Sequence, residues 1–65
     1  MDDELRIARQ VIVISLRDAE KEQKVNHNIK ESRYHQGIAF GVALAMDDCE
    51  FHQRCLNWFS CLSNN

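Results

Sequence analysis

A chain of 65 residues, 45% hydrophobic and 28% charged, is long enough for one small domain over 1–65 and too apolar for a disordered segment. The net charge of -2 leaves no cationic excess to hold a polyanion, which argues against nucleic acid as a partner. The longest apolar run, "GIAFGVALAM" at 37–46, is about half the ~20 residues of a bilayer-spanning helix. Proline is absent and the two glycines both lie inside that run, a composition that favours long helices. Folding at this size buries only about 60% of the unfolded surface, so stability calls for metal, disulfide or association.

The opening "MDDELR" is acidic and lacks the basic-then-apolar layout of a leader peptide. Asp2 or Asp3 is placed to cap a helix, and Asp3 and Glu4 complement its dipole. Leu5, Ala8, Ile12, Leu16 and Ala19 recur at helical spacing, with Ile7, Val11 and Ile14 widening the stripe. "RDAEKEQK" continues as a solvated segment in which Glu20 and Lys24 form an i,i+4 pair. A helix over about 3–25 follows. The β-branched run in "QVIVISL" is the conflicting signal, since it also suits a buried strand over 10–16.

"NHN" at 26–28 is the turn, with Asn26 or His27 stopping the first helix and Asn28, three before Glu31, capping the next. From 29 the chain is helical to about 62. Asp47 and Glu50 repeat the capping-box spacing, so the segment is either kinked near 46–48 or split into helices over about 29–46 and 48–62. The final "SNN" reads as a frayed tail. The expected fold is all-α: an antiparallel helical hairpin with a third short helix or a kink, assembling into an oligomeric helical bundle. Its core should include Leu5, Ile12, Leu16, Ile38, Val42, Leu44, Leu56 and Phe59.

On a helical wheel the run 37–46 has no polar face, so it requires cover on every side. The first helix covers one side, a third helix a second, and another copy of the chain the rest. Gly37, Gly41 and Ala45 form a flat small-residue stripe, and with Ile38 and Val42 they are the expected self-association site. The alternative is that the glycines space the hairpin's own helices. Tyr34, Arg33, Arg54 and Trp58 are the residue types that anchor interfaces and are candidate partner contacts.

Three cysteines, an odd number without an export signal, suggest reduced thiols and a cytoplasmic location. Cys49, His52, Cys55 and Cys61 are soft ligands within a short span, which makes zinc the alternative to their serving as core. Glu31 with His35, and Asp48 with His52, are helix-surface pairs at i,i+4. No nucleophile with its base and no Gly-rich phosphate loop is present, so no enzyme activity and no cofactor are expected.

The leading expectation is a non-enzymatic helical interaction module that binds itself and another protein. Chains of this size often act as regulators, adaptors or inhibitors, including the accessory proteins of phages and mobile elements. A second reading takes 10–16 as a strand: strand followed by two helices resembles the ribbon-helix-helix family. That resemblance implies a DNA-binding dimer with Arg9, Ser15 and Arg17 as groove contacts. A third is a zinc-stabilised module.

Overall fold

The computed structural model describes residues 2–63, which form α1 (Asp2–Lys24), α2 (Ile29–Ala45) and α3 (Cys49–Ser63). The all-helical expectation holds, and the segment from 29 onward is two helices rather than one. Asp2 and Asp3 both lie inside the first turn of α1. Ser63 closes α3, while Met1 and residues 64–65 of the expected tail lie outside the described residues.

The strand expected as one alternative over 10–16 does not form; the segment is the middle of α1. Tertiary burial outweighs the few tenths of a kcal/mol by which β-branched residues disfavour helix. Ile12 is fully buried and Val13 packs against the core, whereas Val11 and Ile14 stay exposed. With the strand gone, the ribbon-helix-helix reading loses the element that would enter a DNA groove.

Both turns use a non-glycine residue in the left-handed region, His27 at φ 55° and Asp47 at φ 53°. At the first, the Asn28 N–H reaches back to the Glu22 carbonyl at 2.7 Å. Asn28 then caps α2 by accepting from the Glu31 N–H at 3.2 Å, as its spacing suggested. At the second, the Asp48 N–H bonds the Ala43 carbonyl at 2.9 Å and the Asp47 N–H the Leu44 carbonyl at 3.1 Å. This is a Schellman closure. The cap of α3 is therefore Asp48, whose Oδ1 accepts from the Phe51 N–H at 3.2 Å, and not Asp47 as the capping-box spacing implied.

The α1–α2 hairpin closes on small side chains. Ser32, Ala39 and Ala43 are fully buried along one line of α2, against Ile12, Leu16 and Ala19 of α1. The Ser32 hydroxyl donates to the Ala19 carbonyl at 2.8 Å and accepts from Gln36 Nε2 at 3.0 Å. A buried hydroxyl so placed lets the two backbones approach without leaving a polar group unpaired. The core continues into α3 through Phe51 and Cys55, with Phe40, Val42, Trp58 and Phe59 packed around it.

α3 is pinned at both ends. Arg9 donates to Asp48 from Nε at 2.8 Å and from Nη2 at 3.1 Å, a two-pronged pair on a carboxylate that is 4% exposed. At the other end Gln23 Nε2 donates to the Leu62 carbonyl at 2.9 Å, one of the last-turn carbonyls left without a helical partner. Both contacts join residues 39 positions apart, so α3 runs parallel to α1 and the bundle is up-down-up.

Several expected core positions are corrected. Ile12 and Leu16 are buried, and Leu5, Ile38, Val42 and Phe59 are half-buried. Leu44 and Leu56 are exposed at 54% and 42%, because α1 and α3 occupy other sides of their helices. Ile7, Val11 and Ile14 likewise point away from the core rather than widening the stripe. Asp48 pairs with Arg9 and not with His52, whose ring instead meets Phe40 edge-on at 4.8 Å. Among the described residues Glu20 and Lys24 form no ion pair, whereas Glu31 and His35 approach to 3.8 Å as expected.

Two outcomes follow from these contacts. His27→Gly relieves the left-handed strain and should stabilise the fold by about 0.5–1 kcal/mol, read as a higher Tm; a lower Tm would refute the strain. The Arg9 hydrogen bond, aided by the Phe51 N–H, outweighs desolvation and holds the Asp48 carboxyl below its ordinary value. That stabilisation is complete above the unfolded value near pH ~4 and is lost as pH falls through the lower folded one. Asp48→Asn should therefore melt lower at neutral pH and lose less on acidification; parallel acid profiles for both proteins would refute the role of Asp48.

Candidate interaction surfaces

The run 37–46 is covered on two sides, with Ala39 and Ala43 against α1 and Phe40 against Phe59 and His52 of α3. Its third side is open. Gly37, Gly41, Leu44 and Ala45 are exposed, and a Cβ built on either glycine would meet nothing within 4 Å. The alternative in which these glycines space the hairpin's own helices is thereby overturned, since that role belongs to Ser32, Ala39 and Ala43. The expected self-association set is split: Gly37, Gly41 and Ala45 face outward, while Ile38 is half-buried and Val42 packs onto the core.

Around α2, Lys30, Tyr34, Gly37, Gly41 and Leu44 share an arc of roughly 80° at 3.6 residues per turn. Tyr34 and Leu44 stand symmetrically about position 39, and so do Gly37 and Gly41. Exposed Tyr34 and Leu44 are large apolar side chains bracketing a floor without side chains.

The expected partner anchors do not form one cluster. Tyr34 and Arg33 are exposed on α2. Arg54 and Trp58 lie on α3 beside a second feature, a groove of about 390 Å³ between α1 and α3. Its apolar wall includes Val13, Leu16, Phe51, Trp58 and Leu62. Phe51 is flanked by two guanidinium groups, Arg9 at 4.4 Å and Arg54 at 4.7 Å from its ring centre. The Trp58 indole Nε1–H is buried and finds no acceptor among the described residues. Next to it along α1 lies a shallower depression of about 610 Å³, lined by α1 alone, that shares Val13 and includes Leu5, Arg6, Ile14 and Arg17. Periodicity could not reveal the groove between α1 and α3, because its second wall depends on where α3 settles.

The soft-ligand set Cys49, His52, Cys55 and Cys61 does not converge. Cys49 and Cys61 are exposed, Cys55 is fully buried, and the His52 ring meets Phe40 edge-on. Among the described residues no three His, Cys, Asp or Glu side chains are grouped to hold a metal. Burial, with the nearby Asp48 carboxylate, pushes the Cys55 thiol up. Within the described residues no helix is long and apolar enough to cross a membrane.

No protein-family model matches the chain, and no curated protein and no solved structure matches it.

A thiol-reactive probe should modify the exposed Cys49 at once and Cys55 only at the rate of unfolding. Mass spectrometry of the labelled peptides against time checks this, and rapid labelling of Cys55 in the native protein would contradict the packing.

Proposed function

We propose that this protein is a non-enzymatic helical interaction module that assembles with a second copy through the outward face of α2 and serves as a regulator, adaptor or inhibitor of another protein. The observation that carries the reading is the self-complementary order of exposed residues on that face. In an antiparallel pairing centred at position 39, Gly37 meets Gly41 of the second copy and Tyr34 packs against its Leu44. Lys30 then lies near the exposed Asp47 carboxylate of that copy, so charge as well as shape is matched. Each residue makes its contact twice, as a two-fold interface requires.

Energetics supports the same reading. Each glycine costs a helix interior about 1 kcal/mol relative to alanine. Nothing within the chain gains from that cost, because both sites face open space. A crossing of two copies recovers it through close backbone approach and covers Leu44, which a lone chain leaves exposed. The apolar run then has cover on its third side.

Two substitutions separate assembly from folding. Gly41→Ala should strengthen the isolated helix by up to about 1 kcal/mol while weakening association. Gly41→Leu should abolish association and leave the helical circular dichroism unchanged. Native mass spectrometry and light scattering measure the outcome: a dimeric wild type and a monomeric Gly41→Leu support the interface. A wild-type monomer, or an unchanged dimer in Gly41→Leu, refutes it.

A further inference from the structure

We infer that the groove between α1 and α3 docks an acidic amphipathic helix from a partner protein. This extends the reading above by naming the surface and chemistry of the second partner, and the surface shares no residue with the α2 face.

The charge distribution carries the inference. Although the chain is net acidic, the basic residues of α1 are not scattered. Arg6, Arg9, Arg17, Lys21 and Lys24 fall within roughly 120° of its circumference at 3.6 residues per turn. Of that arc, Lys24 lines the groove itself, across from Arg54 of α3, and Arg6, Arg9 and Arg17 line the stretch of α1 that continues it. Among the described residues lining the two stretches, Glu20 is the one carboxylate. Arg9 is engaged by Asp48 and Glu50, and Arg6 and Arg54 make only exposed, long pairs at 3.4 and 3.7 Å. Arg17, Lys21 and Lys24 form no ion pair among the described residues. A basic side on which Arg17, Lys21 and Lys24 carry unpaired charge, beside a floor of Val13, Leu16, Phe51 and Trp58, fits a ligand that is apolar on one side and anionic at its flanks.

Backbone chemistry narrows the occupant to a helix. The described residues are helices and turns with no sheet edge, so an extended peptide would find no row of backbone groups to pair with. A helix satisfies its own backbone and needs only side-chain complementarity. The two stretches run from Leu5 to Lys24, about 28 Å at 1.5 Å per residue, which matches a guest of about 18 residues. Nucleic acid would use the basic rim but would leave the apolar floor uncovered.

Trp58 is the single tryptophan and lines the groove, so its fluorescence reports occupancy directly. The experiment titrates the full chain with an 18-residue helical peptide bearing leucines at i, i+3, i+4 and i+7 and glutamates beside them. Its lysine-for-glutamate counterpart and an 18-nucleotide single-stranded DNA serve as competitors. Saturable change with the acidic peptide is expected, weakening as salt rises. The double variant Arg17→Glu, Lys24→Glu should weaken binding about ten-fold with unchanged circular dichroism. Gly41→Leu should bind as the wild type does, which separates this groove from self-association. Equal binding of the lysine peptide or of DNA, or undiminished affinity in the charge-reversed variant, would overturn the inference.

Discussion

The Asp48 carboxylate is the constraint on which the arrangement of the third helix depends. One group caps α3 through the Phe51 N–H, receives both prongs of Arg9, and sits directly after the left-handed residue that ends α2. A carboxylate this enclosed is tolerable only because its charge is matched and its lone pairs are satisfied. The geometry propagates: with the start of α3 tied to the first half of α1, the two helices run parallel. Gln23 then meets Leu62 at the far end. The groove lies along the seam between these two helices, with Val13 and Leu16 on one side and Phe51, Trp58 and Leu62 on the other.

Opposite that groove, the α1–α2 contact obeys a different rule. Ala39, Ala43 and Ser32 allow close approach, and the Ser32 hydroxyl finds its acceptor on the neighbouring backbone. Closeness on one side of α2 leaves its glycines on the other. The small residues of this helix thus serve two surfaces of opposite character, one satisfied within the chain and one open. The basic side of α1 is a third. Distributing these properties over separate faces keeps the open glycine face and the basic groove of a 65-residue chain clear of the core.

Much of this fold is legible in the sequence. Apolar spacing at Ile12, Leu16 and Ala19 marks the buried stripe of α1, and the Asn28–Glu31 spacing marks the start of α2. What periodicity cannot supply is rotation. In α2 nearly every position is apolar, so the wheel has no preferred face, and Leu44 and Val42 cannot be ranked by burial until neighbours are in place. The shift of the α3 cap from Asp47, which the spacing with Glu50 suggests, to Asp48 has a local cause: both residue types cap well, and the left-handed turn at Asp47 decides between them. The glycine stripe was visible, but which stripe of small residues faces α1 depends on the Ser32 hydrogen bond. The groove between α1 and α3 was invisible because its walls come from residues far apart along the chain.

The two turns carry one more consequence, for the time in which the chain finds its shape. Each reverses direction within a few residues, so every helix meets its neighbour in sequence early and loop closure is inexpensive. With no proline in the chain, no slow X–Pro isomerisation divides the unfolded population into fast and slow fractions. Refolding of one copy is therefore a single phase on the microsecond-to-millisecond scale. A slower phase that quickens as the protein becomes more concentrated would be the signature of the proposed pairing of two copies.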